Sequence, residues 1–326
     1  MEMVLRTQTI LIGSGIRLKE NSQSPLPPSS FDSEQFKAEQ RQRWDSVAEG
    51  WKDWWQTVEV AAQKVSDRLV ELAQIKAGQK VLDIATGVGE PAITAARKLA
   101  GSGNNINGTG YVLATDVSTQ MLTIAKQRAA ELGLQDIIEF KEADAEMLEL
   151  SDSTFNAVLC RWGLMFMPYL NNALGRIYQT LVPGGRLTFA VWAEASKVPF
   201  ISIPLNIVMH ELNVPPPPIG APGPFALADI SILQNALSDT GFTDIKYERL
   251  NVTFEFPRVE DYINYTKDIG STIKIMLSKE SIVRQEEVWD IVTEQIRNSY
   301  AAVNNNQQPV RIDNECICIS AKKPFG

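Results

Sequence analysis

The 326-residue chain is 44% hydrophobic, 21% charged and 8% aromatic, a globular composition long enough for one large domain or two modest ones. Its net charge of −8 argues against DNA or RNA as the main partner, because surfaces that neutralise phosphates are basic. Three cysteines make no disulfide framework and suit a reducing cytoplasm, the expected location, and no stretch reaches the ~20 apolar residues of a membrane span.

Met1 to Glu20 lacks the continuous apolar core of a signal peptide, and Asn21 to Ser33 is rich in Ser and Pro. Residues 1–34 are therefore expected to form a flexible tail, with the folded domain over 35–326. Trp44, Val47, Ala48, Trp51, Trp54 and Val58 then recur at helical spacing on one face, and a second helix is expected from Val60 to Ala73.

Strands and helices alternate after Gly78. Strands are expected at Lys80–Ala85, Tyr111–Thr115, Ile137–Lys141, Phe155–Cys160 and Leu187–Trp192, with helices at Pro91–Leu99, Thr119–Leu132 and Leu170–Leu181. That alternation indicates a parallel sheet covered on both faces. Beyond Trp192, the prolines at 215–218 and the stretch Gly220 to Pro224 exclude continuous regular structure. A helix at Ser231–Thr240, a strand at Thr243–Phe256, a mostly helical stretch from Pro257 to Val303 and a last strand at Glu315–Ala321 complete the pattern.

The most informative stretch is Val81-Leu82-Asp83-Ile84-Ala85-Thr86-Gly87-Val88-Gly89-Glu90-Pro91-Ala92, a strand entering a glycine turn and then a helix. Two glycines let the backbone bend and approach a ligand closely, and the helix offers unpaired N–H groups and a positive dipole end. Gly87, Gly89 and Ala92 also fit a dinucleotide fingerprint, and Asp116 at the next strand end suits an adenosine ribose in either ligand class. Three features separate the two. Asp83 just before the glycines can receive an ammonium group, which a dinucleotide lacks. Asp144 and Ala145 after the third strand can meet an adenine amino group. Finally, no Tyr-x-x-x-Lys pair is present and His210 is the only histidine, so common hydride-transfer constellations are missing.

This order of motifs, with Ala114-Thr115-Asp116-Val117-Ser118-Thr119-Gln120-Met121-Leu122, Phe155-Asn156-Ala157-Val158 and Leu181-Val182-Pro183-Gly184-Gly185-Arg186-Leu187, resembles the class I S-adenosylmethionine-dependent methyltransferases. It is most similar to the branch holding ubiquinone and menaquinone C-methyltransferases and natural-product methyltransferases, over residues 40–192. The resemblance implies a Rossmann-like, doubly wound α/β fold with a mostly parallel seven-stranded sheet, an antiparallel last strand and a helical cover. It implies S-adenosyl-L-methionine as cofactor. Ala85, Thr86, Gly87 and Gly89 would hold the methionine end, Asp116 and Val117 the ribose, and Met121, Asp144 and Ala145 the adenine. Arg161 and Trp162 would border the methyl-bearing end, and Trp51 or Trp54, on a helix that tends to lie across the cofactor in this family, would line the site.

Each assignment has a plainer rival. The tryptophan stripe also reads as core. His210, beside Glu211, reads as a general base or as an ordinary helix residue, and the place after the fourth strand where related enzymes often carry a basic histidine holds Arg161-Trp162-Gly163. Cys316-x-Cys318 has no further cysteine or histidine near it to make a metal site, so no metal is expected. Segments 193–228 and 257–306 are expected to cover an apolar pocket for a small apolar or aromatic metabolite, with oxygen favoured over nitrogen or carbon as the methyl acceptor. The alternatives are a nicotinamide-dependent oxidoreductase and a cofactor-binding module without catalysis.

Overall fold

The computed structural model describes residues 33–101, 110–218, 220–301 and 309–325. The expected tail at 1–34 lies, apart from its last two residues, outside the described residues. So does most of the Gly101 to Gly110 loop.

The first element is one helix of 40 residues, α1 (Ser33–Leu72), where the sequence suggested two. Nothing between Val58 and Val60 stops a helix, since neither glycine, proline nor a capping residue intervenes. What changes along it is the surface it meets. Val47 and Ala48 pack with Val88, Met121 and Ile124, whereas Val58, Ala62, Val65 and Leu69 join the main core with Leu82, Ile84 and Val158.

Seven strands follow: β1 (Lys80–Ile84), β2 (Tyr111–Asp116), β3 (Ile138–Glu142), β4 (Phe155–Arg161), β5 (Leu181–Trp192), β6 (Thr243–Phe256) and β7 (Val310–Lys322). They lie in the order β3-β2-β1-β4-β5-β7-β6, with β7 antiparallel to both of its neighbours. The expected mostly parallel sheet with an antiparallel last strand is the observed one. Strand order reverses between β1 and β4, and in such sheets the crevice at the carboxyl ends of those strands is the ligand site. β1 has Val81 to Ile84 all buried, as a strand covered on both faces should.

Two strands are longer than expected. β5 starts at Leu181, bringing Val182 to Gly185 into the strand with a register shift against β4. β7 starts at Val310, where Val310, Ile312 and Asn314 point inward and Arg311 and Asp313 outward. Helices α2 (Ala92–Ala100), α3 (Thr119–Glu131), α4 (Leu170–Thr180) and α6 (Ile230–Thr240) connect the strands, with the cover helix α5 (Pro199–Glu211) placed before α6. α7 (Val259–Ile269), α8 (Ser271–Leu277) and α9 (Ile282–Ile296) are inserted between β6 and β7 and extend that cover.

The cover is tied to the sheet by polar groups that its own backbone leaves over. Pro204 inside α5 cannot donate to the Phe200 carbonyl, which accepts instead from the Tyr262 hydroxyl of α7 at 2.8 Å. The Phe200 N–H, an orphan of the first helical turn, donates to Asn314 Oδ1 of β7 at 3.0 Å. Phe200 then stacks on Phe254 of β6 with ring centroids 3.9 Å apart.

Candidate cofactor and acceptor site

At the end of β1 the backbone turns sharply, with positive φ at Ala85 (54°), Gly87 (55°) and Gly89 (109°). Such a conformation costs a non-glycine residue about 1–2 kcal/mol, so Ala85 stores strain at the ligand edge. A side chain built on Gly87 would meet nothing within 4 Å, so that face of the turn is open. Thr86 N–H donates to the Thr115 carbonyl and Gly89 N–H to the Thr86 carbonyl, each at 2.9 Å.

Two carboxylates hold the turn. Asp116 accepts from Gly87 N–H at 2.8 Å and from Ser118 N–H at 2.9 Å, joining β2 to the glycine turn. Its burial raises its pKa, against the pull of those N–H groups. Asp83 accepts from Ala92 N–H at 3.0 Å through one oxygen. Its other oxygen, Oδ1, and the Thr86 hydroxyl that interacts with the Asp83 carboxyl are both buried with no further partner among the described residues. Burial pushes the Asp83 carboxyl up to about 8. A buried carboxyl and hydroxyl with no partner beyond each other, beside an open glycine, are what the ammonium and carboxylate of a methionine moiety would complete. The residues present thus fit the cofactor.

α1 crosses this edge. Lys37 pairs with Asp144 at 2.9 Å and with Glu146 at 2.7 Å, Arg41 with Glu142 at 3.0 Å, and Ser118 donates its hydroxyl to Asp45. Asp144 also caps the short turn Ala145–Met147 by accepting from Glu146 N–H at 2.9 Å. Met121 and Ala145 are buried, and Val117 is half-buried between Asp116 and Ser118. Trp44, Trp51 and Trp55 pack around Val88 and Met121. The structure therefore gathers Trp51, Asp83, Ala85, Thr86, Gly87, Gly89, Asp116, Val117, Met121, Asp144 and Ala145 along one edge.

Arg161 ends β4, but its guanidinium is fully engaged. It donates to both oxygens of Glu59 at 2.6 and 2.9 Å and to Ser66 at 2.9 Å. Its observed part is to clamp α1 against the sheet. Glu59 escaped the sequence reading, because a helical acid gives no sign of a partner about a hundred positions away. Glu90, also buried, accepts from the Thr94 hydroxyl at 2.6 Å; burial and the nearby Glu59 push its carboxyl up.

Beyond Arg161, Trp162 has φ of 60° and stacks on Trp192 of β5, centroids 4.2 Å apart and planes 13° apart. Gly163 is pressed so closely on β1 that an added Cβ would lie 2.5 Å from Ala85 Cβ. Among the described residues, the indole nitrogens of Trp51 and Trp162 are buried without partners.

His210, like Arg161, stands outside the gathered residues. Its side chain is 85% exposed at the end of α5, 3.2 Å from Glu211, which Arg284 also binds. The base reading is corrected here, since a ring surrounded by water faces no enclosed acceptor. Cys316 and Cys318 are both free, buried thiols. An open groove of about 740 Å³ between α1 and the β6–β7 hairpin, lined by Val60, Lys64, Glu255 and Arg311, contains none of the residues gathered at the glycine turn. Among the described residues no helix is long and apolar enough to cross a membrane.

Comparison with known proteins agrees with this geometry. Residues 47–216, more than half of the chain, match the model of the ubiE/COQ5 methyltransferase family. The ubiquinone/menaquinone biosynthesis C-methyltransferase UbiE of Pseudomonas savastanoi pv. phaseolicola is 36% identical over 118 residues, 36% of this chain and 43% of that protein. Methyltransferase GfsG of Streptomyces halstedii is 33% identical over 130 residues, 40% of this chain and 44% of its own length. The chain thus spans less than half the length of the curated relatives it matches. A candidate methyltransferase from Bacillus halodurans C-125 shares the fold with a TM-score of 0.51 at 20% identity, covering 79% of this chain and 98% of that one. The YcgJ protein of Bacillus subtilis does so at 0.51 and 18%, covering 81% and 100%. With its motifs at successive strand ends of the expected sheet and the family model matched from Val47 to Pro216, the chain belongs to the ubiE/COQ5 methyltransferase family.

Proposed function

We propose that the chain is an S-adenosyl-L-methionine-dependent methyltransferase acting on a small apolar or aromatic metabolite. The observation that carries this reading is the buried pair at the glycine turn, Asp83 and Thr86, with no partner beyond each other among the described residues, beside the Asp116 carboxylate. When bound, the cofactor would supply a methyl carbon activated by its sulfonium, for transfer to an electron pair of the acceptor with the carbon–sulfur electrons remaining on sulfur.

Asp83 receives the ammonium, Thr86 the carboxylate, and Asp116 the ribose hydroxyls while it fixes Gly87. Lys37 orients Asp144 at the adenine edge. α1 and the cover of α5 and α7 exclude water, and alignment supplies much of the ~7–11 kcal/mol available from proximity. An enol or quinol that enters ionised has already given its proton to bulk water, so no exposed group such as His210 is needed. Carbon is the proposed acceptor atom, in place of the oxygen favoured from sequence, because the Pseudomonas relatives are named as C-methyltransferases. The nicotinamide alternative loses ground at Asp83, because a dinucleotide has no ammonium to offer its buried carboxyl.

Thermal unfolding tests the reading. Saturating S-adenosylhomocysteine should raise Tm in the wild type and leave Asp116→Ala unmoved; NADH should move neither. No shift in the wild type removes the proposal.

A further inference from the structure

We propose that Arg128 of α3 is a positioning residue for the amino-acid end of the cofactor: by holding the Val88 carbonyl, it fixes the peptide unit of the glycine turn that meets the methionine carboxylate beside the Thr86 hydroxyl. The inference rests on the methyltransferase reading and adds to it a residue that none of the sequence motifs singles out.

Hydrogen bonds leave one peptide unit of the turn free. The Thr86–Gly87 unit is held at both ends, since Gly87 N–H donates to Asp116 at 2.8 Å and the Thr86 carbonyl accepts from Gly89 N–H at 2.9 Å. The Val88–Gly89 unit is held by that same Gly89 N–H and, at its carbonyl, by Nη1 of Arg128. Between them, the Gly87–Val88 unit has no hydrogen-bond partner among the described residues, although Val88 is only 3% exposed. Buried backbone N–H groups are almost always paired. The Val88 N–H is the donor that the turn keeps for a carboxylate, and the fixed units on either side decide where it points.

Arg128 is itself held in place. It is buried, and its guanidinium lies over the Trp55 ring of α1, 4.1 Å from the centroid. Gly89 packs against the same helix: an added Cβ would lie 3.4 Å from the Cβ of Ala125, one helical turn before Arg128. Burial pulls the Arg128 pKa down, while Glu59, one turn beyond Trp55, and Glu90 pull it up. Its Nε has no partner among the described residues, so its grip on the turn rests on Nη1 and the ring contact. A planar guanidinium donates in its plane and stacks through its face at once, which an ammonium does not. Arg128 thereby joins the turn to α1, the helix that crosses the site. The groups assigned to ribose and adenine, Asp116, Asp144 and Ala145, are not bonded to it, so its effect falls on one end of the ligand.

Two ligands separate this role from a general structural one. S-adenosylhomocysteine carries the amino-acid end, and 5′-methylthioadenosine has the same adenosine and sulfur without it. Binding of each to the full chain is measured by isothermal titration, wild type first. Arg128→Met should weaken S-adenosylhomocysteine about tenfold and methylthioadenosine by no more than about twofold. Arg128→Lys, which keeps the charge but loses the stack, should weaken S-adenosylhomocysteine about threefold, again sparing methylthioadenosine, and it carries the comparison if Arg128→Met does not fold. Equal weakening of both ligands would make Arg128 merely structural and overturn the proposal. So would an Arg128→Met chain that binds S-adenosylhomocysteine within about twofold of the wild type. Neither result touches the cofactor reading. A folded wild type that binds neither ligand removes that reading and this inference with it.

Discussion

Glu59→Leu should destabilise the chain by about 3 kcal/mol. The pair it breaks is enclosed, with side chains of Glu59 and Arg161 only 9% and 5% exposed, and is bidentate at 2.6 and 2.9 Å. Removing one partner of such a pair costs about 3–5 kcal/mol because it strands the other charge. The lower end is expected because Glu90 and Asp83 also lie in the field of Arg161. Without Glu59, the Glu90 carboxyl ionises more readily and compensates part of the loss. With a urea slope of about 3 kcal/mol per molar, the midpoint should fall by roughly 1 M, read by circular dichroism and tryptophan fluorescence. The double substitution Glu59→Leu with Arg161→Met should recover most of the loss, since an apolar pair of similar volume is often neutral. A single variant that loses less than ~0.5 kcal/mol, or a double variant worse than the single, would refute the clamp described for α1.

Four further outcomes follow from the same geometry. Asp83 has its pKa raised by burial to about 8, so the folded chain holds a proton that the unfolded chain has already released; stability should decline as pH rises from about 4 towards 8 and level off above it. Because a bound ammonium would ionise Asp83, S-adenosylhomocysteine binding near pH 7 should release up to one proton, seen by calorimetry in buffers of different ionisation enthalpy; Asp83→Asn should abolish the release, and equal heats in all buffers would contradict it. Gly87→Ala meets no atom within 4 Å but must adopt a φ of 55°, so it should lose about 1–2 kcal/mol of stability in urea titrations and, by obstructing the ligand face, at least tenfold in S-adenosylhomocysteine affinity. His210→Ala, at an 85% exposed side chain, should leave methyl transfer unchanged once an acceptor is in hand; a drop of more than tenfold would restore the histidine as a base.

Much of the sheet was legible because parallel strands covered on both faces are short apolar runs between helical stretches. The glycine turn and Asp116 were legible because a strand, two glycines and a helix leave few backbone paths. Three things were not. The continuity of α1 was hidden by a rotation of its apolar face, which meets α3 over its first half and the sheet over its second. The Glu59–Arg161 pair depends on tertiary contact and has no local signal. The unmet indole of Trp162 follows from a positive φ and a stack on β5, neither of which is encoded in spacing. Conversely, Arg161 was expected at the cofactor because of its place after β4, but its guanidinium is engaged by α1.

Direct binding tests the central claim most simply. Isothermal titration of the full chain with S-adenosylhomocysteine should show saturable binding of one ligand per chain, lost in Asp116→Ala, with no heat from NADH. Saturable NADH binding, or no binding of S-adenosylhomocysteine to a folded wild-type chain, would contradict the account.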